Sequence, residues 1–205
     1  MKQINKYIYE RLHINKDIGK QNNHYNYHPT TRDELKELVD QLIKERGNEA
    51  DLNDIDTSKI TNMSELFFKS KFNGDISNWD VSNVESMIGM FEHSEFTGEN
   101  GDISNWDVSN VKNMSYMFMV SKFNGDISNW NVSNVEDMCY MFTTSEFNGD
   151  ISKWNVSKVI NMGTMFANSK LFNQDLSGWN VSNVTIPYDM FYNCPIKNEY
   201  KPKFK

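Results

Sequence analysis

The sequence predicts an α/β fold: a solenoid of about six 24-residue repeats, each a short strand followed by a short helical turn, with a helical cap at the N-terminal end. Three observations carry this. An aspartate recurs at Asp51, Asp75, Asp102, Asp126, Asp150 and Asp175, at spacings of 24, 27, 24, 24 and 25 residues. With each aspartate counted as position one, position five holds Ile55 and then Trp79, Trp106, Trp130, Trp154 and Trp179, which uses every tryptophan of the chain. Positions thirteen, sixteen and seventeen hold Met-x-x-Met-Phe, so ten of twelve methionines fall into two columns. One such unit cannot bury its apolar face alone, whereas stacked copies share a continuous core.

Taken in chain order, residues 1–30 read as a basic arm. Ile4, Tyr7, Ile8 and Leu12 have helical spacing, and Met1 to Arg32 carries six basic against two acidic side chains together with His13, His24 and His28. Residues 31–50 follow as a capping helix, with Thr31 and Glu34 as a capping box, Leu35, Leu38, Val39, Leu42 and Ile43 as one apolar stripe, and Gly47 as the stop. Residues 51–196 form the solenoid, and residues 197–205 form a basic tail.

Within each repeat, Trp-x-Val has the period of a short strand and Met-x-x-Met-Phe the spacing of one helical turn. Asn-Gly pairs at Asn73, Asn100, Asn124 and Asn148 precede the starting aspartate and suggest tight turns in which glycine takes a positive φ. The extra Thr97-Gly98-Glu99 and one extra residue near Lys170-Leu171 should bulge outward. Methionine stripes sometimes line cofactor or peptide grooves, but columns shared by every copy read as core, with Met as the pliable filler.

The run Asp75 to Val84, Asp-Ile-Ser-Asn-Trp-Asp-Val-Ser-Asn-Val, with Met87-x-x-Met90-Phe91 after it, closely resembles the Trp- and Met-rich branch of the BspA-like leucine-rich repeats. The resemblance covers about Asp51 to Ile196 and implies an LRR-like right-handed solenoid. Members of that family are often bacterial surface proteins or lipoproteins used in adhesion. This sequence departs from them in showing no export signal or lipidated cysteine. Its opening residues are also similar to short proteins of gut bacteria and their tailed phages, which implies a bacterial cytoplasm or a phage particle as the location.

Several chemistries find no support. A net charge of −7 argues against a chain built to grip nucleic acid, and no run of about 18 apolar residues suggests a membrane span. The two cysteines, Cys139 and Cys194, cannot form a disulfide framework, and their positions two repeats apart place them too far apart to bridge. The aspartate column offers one carboxylate per coil, too few for calcium, and reads as turn hydrogen bonding. No His, Cys, Asp or Glu cluster has metal-ligand spacing, and no catalytic constellation appears. The expectation is a non-enzymatic protein without cofactor.

Two features remain to carry function. Position twenty-one reads Lys71, Glu95, Lys122, Glu146, Lys170, and position eleven reads Glu85, Lys112, Glu136, so adjacent coils present opposite charges that help fix register. Positions fourteen, fifteen, eighteen and nineteen vary where the core does not, and there Phe68, Ile88, Tyr116, Met119, Val120 and Tyr140 form an apolar edge suited to a protein partner. The leading expectation is a protein-binding repeat module, bacterial or phage-encoded. The alternatives are a virion component anchored by the basic arm, or an acidic inhibitor imitating nucleic acid, the latter from 8 basic against 16 acidic residues between Thr57 and Ile196.

Overall fold

A computed structural model describes residues 25–204. The helix expected to open the chain at Ile4 to Leu12 lies outside the described residues, as does most of the basic arm.

Helix α1 spans Arg32–Arg46. The Thr31 side chain accepts the Glu34 amide at 3.2 Å, and the Glu34 carboxylate reaches back to the Thr30 amide at 2.8 Å rather than to that of Thr31. Asp33 and Glu34 in the first turn and Lys44 and Arg46 in the last complement the helix dipole. Gly47, at φ 94°, ends the helix by donating its amide to the Ile43 carbonyl at 2.8 Å. Leu35, Leu38, Val39 and Leu42 are buried in the same core as the coils.

The end of the helix is fixed to the first coil by charge. Both Arg46 guanidinium arms meet the Asp54 carboxylate at 2.9 Å, and the guanidinium lies 5.7 Å from the Tyr27 ring centroid. Burial pushes the Asp54 carboxyl up, but hydrogen bonds from Arg46 and Asn26 more than offset it and hold it below its ordinary value. At the other end of α1, Arg32 Nε donates to the Ser64 carbonyl at 3.0 Å.

From Asp51 on, the coils stack in parallel register through single bridges at position twelve, Asn62 to Ser86, Asn113, Asp137, Asn161 and Ile186 in succession. Here the expected α/β, LRR-like solenoid of strand-plus-helix coils is overturned. Among the described residues the only helices are α1 and a short 3-10 turn, Asn198–Tyr200, and there is no strand and no sheet.

The coils are built from turns instead, for a local reason. At position one, Asp51 accepts the amide two residues on at 2.8 Å and Asp75 does so at 2.9 Å, and the pattern repeats through Asp175. At position six Asp80, Asp107 and Asn131 do the same. Such Asx turns compete with a strand for the backbone. The Trp79 amide then bonds back to Ile76 and the Val84 amide to Val81, so the Trp-x-Val segment turns while still burying both side chains.

The Asn-Gly pairs also act differently from the expectation. Gly74, Gly101, Gly125 and Gly149 do not have positive φ. A Cβ on Gly74 would lie 2.0 Å from the Ala50 carbonyl oxygen, and one on Gly101 would lie 2.7 Å from that of Gly74. At these two positions glycine is required by the close approach of neighbouring coils.

The core consists of columns. Each tryptophan indole donates to the position-two carbonyl of the preceding coil, from 2.9 Å for Trp79 to Leu52 up to 3.3 Å for Trp106 to Ile76. The position-seventeen phenylalanines stack on one another at 5.4 to 5.8 Å between centroids. A second column, Phe72, Phe96, Phe123, Phe147 and Phe172 at the end of each coil, was not anticipated, although it repeats in the sequence as plainly as the first. It packs at 4.0 to 4.8 Å against the first column. The charged columns pair as expected at Lys122 to Glu95, 2.5 Å, and Lys112 to Glu85, 2.8 Å.

Candidate functional site

The Met-x-x-Met-Phe segment forms a ribbon of consecutive turns with a regular amide pattern. In the first coil the amides of Met63, Glu65, Phe67 and Lys69 donate to Ser86, Ile88, Met90 and Glu92 of the next coil, while those of Leu66, Phe68 and Ser70 bond back three residues within their own. Every coil-to-coil bond of this ribbon runs the same way, from amides on one side to carbonyls on the other.

This pattern requires a left-handed residue at positions fifteen and nineteen of every coil. Eleven of them are not glycine, with φ between 52° and 60°, and the twelfth is Gly89. A left-handed L-residue costs roughly 1–2 kcal/mol, most for bulky or β-branched types such as Val120, Thr144 and Thr164. The inter-coil hydrogen bonds and the core columns beneath hold these residues in place. The ribbon is therefore a repeated frame whose positions fifteen and nineteen tolerate differing side chains.

Tyr116 and Tyr140 occupy position fifteen of adjacent coils and stack at 4.8 Å with ring planes 5° apart. Phe68, 37% exposed, sits two coils earlier, edge-on to His93 at 6.3 Å and with Lys69 Nζ 4.8 Å from its ring centroid. Ile88, Met119, Val120 and the two tyrosines are half-buried. Val120 also lines a shallow groove with His93, Glu95, Lys122, Thr144 and Glu146. The structure thus brings Tyr116 and Tyr140 into direct contact and leaves Phe68 beside a different neighbour.

Burial raises the Tyr116 phenol, helped by Cys139 and Tyr140, and burial with the adjacent Asp137 carboxylate pushes the Cys139 thiol up to about 12. A thiol so placed is protonated at neutral pH and a poor nucleophile. Both cysteines are free. Burial and the nearby Glu65 raise the Glu92 carboxyl, against His93 and Lys69. Among the described residues no group of three or more His, Cys, Asp or Glu could hold a metal ion, and no helix is long and apolar enough to cross a membrane.

The largest exposed apolar side chains lie elsewhere, in the last two coils: Ile160, Leu171, Ile186, Tyr188 at 71% and Tyr192 at 63%. Tyr188 and Tyr192 occupy positions fourteen and eighteen of the sixth coil, the same variable columns, so extending the column reading past the fourth coil would have found them.

Stacked coils, a tryptophan ladder and an asparagine ladder between them, the latter formed by Asn83, Asn110, Asn134 and Asn183 donating to a serine carbonyl of the preceding coil, and a variable surface on a constant core define a repeat protein. More particularly, the family described as "Mycoplasma protein of unknown function, DUF285" matches residues 34–145 and 93–203, and the chain belongs to that family. The membership is compatible with a BspA-like repeat. No curated protein and no solved structure gave a significant match.

Proposed function

We infer that the protein is a non-enzymatic binding module that takes a protein partner on its turn-ribbon face. The observation that carries this reading is the Tyr116–Tyr140 pair, two aromatic rings stacked at 4.8 Å on a frame that does not itself require them. Neighbouring coils place Gly89 and Thr164 in the same column, so the coil folds without a ring there. Aromatic groups of this kind anchor protein interfaces, and truncating a good anchor costs about 2 kcal/mol or more of binding. The Trp- and Met-rich branch of the BspA-like repeats, and a bacterial or phage-encoded accessory role, belong to the same proposal.

The test is a Tyr116→Ala, Tyr140→Ala double variant used beside the unaltered protein in affinity capture from the native host. It should keep its melting curve and lose the captured protein. If capture survives, and instead disappears when residues 1–28 are removed, the arm and not the ribbon carries binding.

A further inference from the structure

The sixth coil ends the ribbon with its donors unpaired. Its carbonyls at Ile186, Tyr188, Met190 and Tyr192 accept from Met162, Thr164, Phe166 and Asn168 of the coil before. The matching amides of Asp189, Phe191 and Asn193 point away from the stack and have no partner among the described residues. The fourth place in this row is Pro187, which has no amide to offer. Aligned peptide groups sum as in a helix, so this edge carries partial positive charge.

Two lysines stand beside the row of open amides. Lys170 Nζ donates to the Asn193 carbonyl at 3.1 Å, and Lys201 Nζ stands 5.8 Å from the Phe191 ring centroid. Against them stand Asp189, on the edge itself, and Glu199 in the neighbouring 3-10 turn. Exposed Tyr188, Tyr192 and Ile186 lie along the same edge. The tail packs onto another part of this end, where the Tyr200 carbonyl accepts the Leu176 amide at 2.8 Å and Pro202 is buried.

The geometry points to this edge as a docking site for an extended acidic segment of a partner protein, whose carbonyls receive the amides of Asp189, Phe191 and Asn193. Its carboxylates lie toward Lys170 and Lys201, and its apolar side chains lie against Tyr188 and Tyr192. A second copy does not fit face to face, because two such edges present donors to donors. Head to tail, a second copy meets α1, whose Arg32 already takes the Ser64 carbonyl, one of the first coil's four acceptors. A backbone edge adding a peptide in this way gains affinity from main-chain bonds and selectivity from side chains. The site lies on different coils from Tyr116 and Tyr140 and stands or falls apart from them.

The test uses the full chain and a fluorescein-labelled peptide of alternating glutamate and valine, with a lysine–valine peptide as control, read by fluorescence anisotropy and by amide NMR. The acidic peptide should bind and the basic one should not. Binding should shift and protect the amides of Asp189, Phe191 and Asn193, and Lys170→Glu with Lys201→Glu should weaken it about ten-fold or more. Lys201→Glu alone, which leaves the Lys170 bond to Asn193 intact, should weaken it less, and both variants should melt like the parent. Equal binding of the two peptides, equal binding by the charge-reversed variants, or amide shifts centred on Tyr116 and Tyr140 overturns the assignment. Protection that grows with protein concentration alone also overturns it, in favour of self-association.

Discussion

Replacing Trp130 tests both the packing and the inter-coil bond of the core. The residue is 3% exposed, its ring lies 6.5 Å from that of Trp106 and 6.4 Å from that of Phe118, and its indole donates to the Ile103 carbonyl at 3.0 Å. Truncating such a side chain to alanine costs about 3–5 kcal/mol. The orphaned carbonyl would add about 1–3 kcal/mol if it stayed dry, but a cavity of this size beside a carbonyl admits water, so the two costs do not sum. We expect a loss of about 4 kcal/mol for Trp130→Ala. Trp130→Phe keeps most of the ring and should lose about 1–2 kcal/mol, chiefly from the carbonyl. Trp106→Phe removes a longer bond, 3.3 Å, and should lose less. Urea denaturation gives the midpoints, and hydrogen exchange at the Met114 and Met138 amides, which bond to the coils beyond, shows whether loosening spreads along the stack. An unchanged midpoint for Trp130→Ala, or a Trp106→Phe more damaging than Trp130→Phe, refutes the reasoning.

Three further outcomes follow from local features. Thr144, exposed and β-branched at φ 56°, should be replaced by asparagine with a gain of about 1 kcal/mol in thermal unfolding, since asparagine enters the left-handed region at lower cost. The buried Ser145 hydroxyl has no partner among the described residues, so Ser145→Ala should leave stability unchanged or raise it by about 1 kcal/mol, measured by denaturant titration. In Asp56, as in Asp54, burial pushes the carboxyl up, but hydrogen bonds, here from Ser58 and His28, hold it below its ordinary value. A carboxyl depressed on folding contributes stability above its unfolded pKa and loses it as pH falls through the folded one, so the melting temperature should drop below about pH 4. Asp54→Asn should flatten part of that acid slope.

How far the fold is legible in the sequence differs from column to column. Single bridges recur at position twelve of the six aspartate-phased repeats, and Trp130, Val132, Met138, Met141 and Phe142 are all buried where periodicity put them. The capping helix begins and ends within a residue or two of Thr31 and Gly47 because its signals are local. The Met-x-x-Met-Phe segment misleads because residues three apart share a face in a helix and also in a run of turns. Nothing in its composition announces left-handed residues, since only Gly89 of the twelve such positions is a glycine. The candidate edge was legible in part. Tyr116 and Tyr140 share position fifteen in adjacent coils, which makes them neighbours in any stack of this phase, whereas the open donor row at Asp189, Phe191 and Asn193 has no sequence signature.

What the sequence determined by itself is which side chains face inward and how many coils stack, because burial depends on a pattern that repeats in register with the chain. What the tertiary structure alone decided is the backbone's path through each coil. A tyrosine, a valine or a threonine adopts a left-handed conformation at position fifteen or nineteen because its amide then reaches a carbonyl one coil away. That partner is some 24 residues distant in the sequence and adjacent only after stacking.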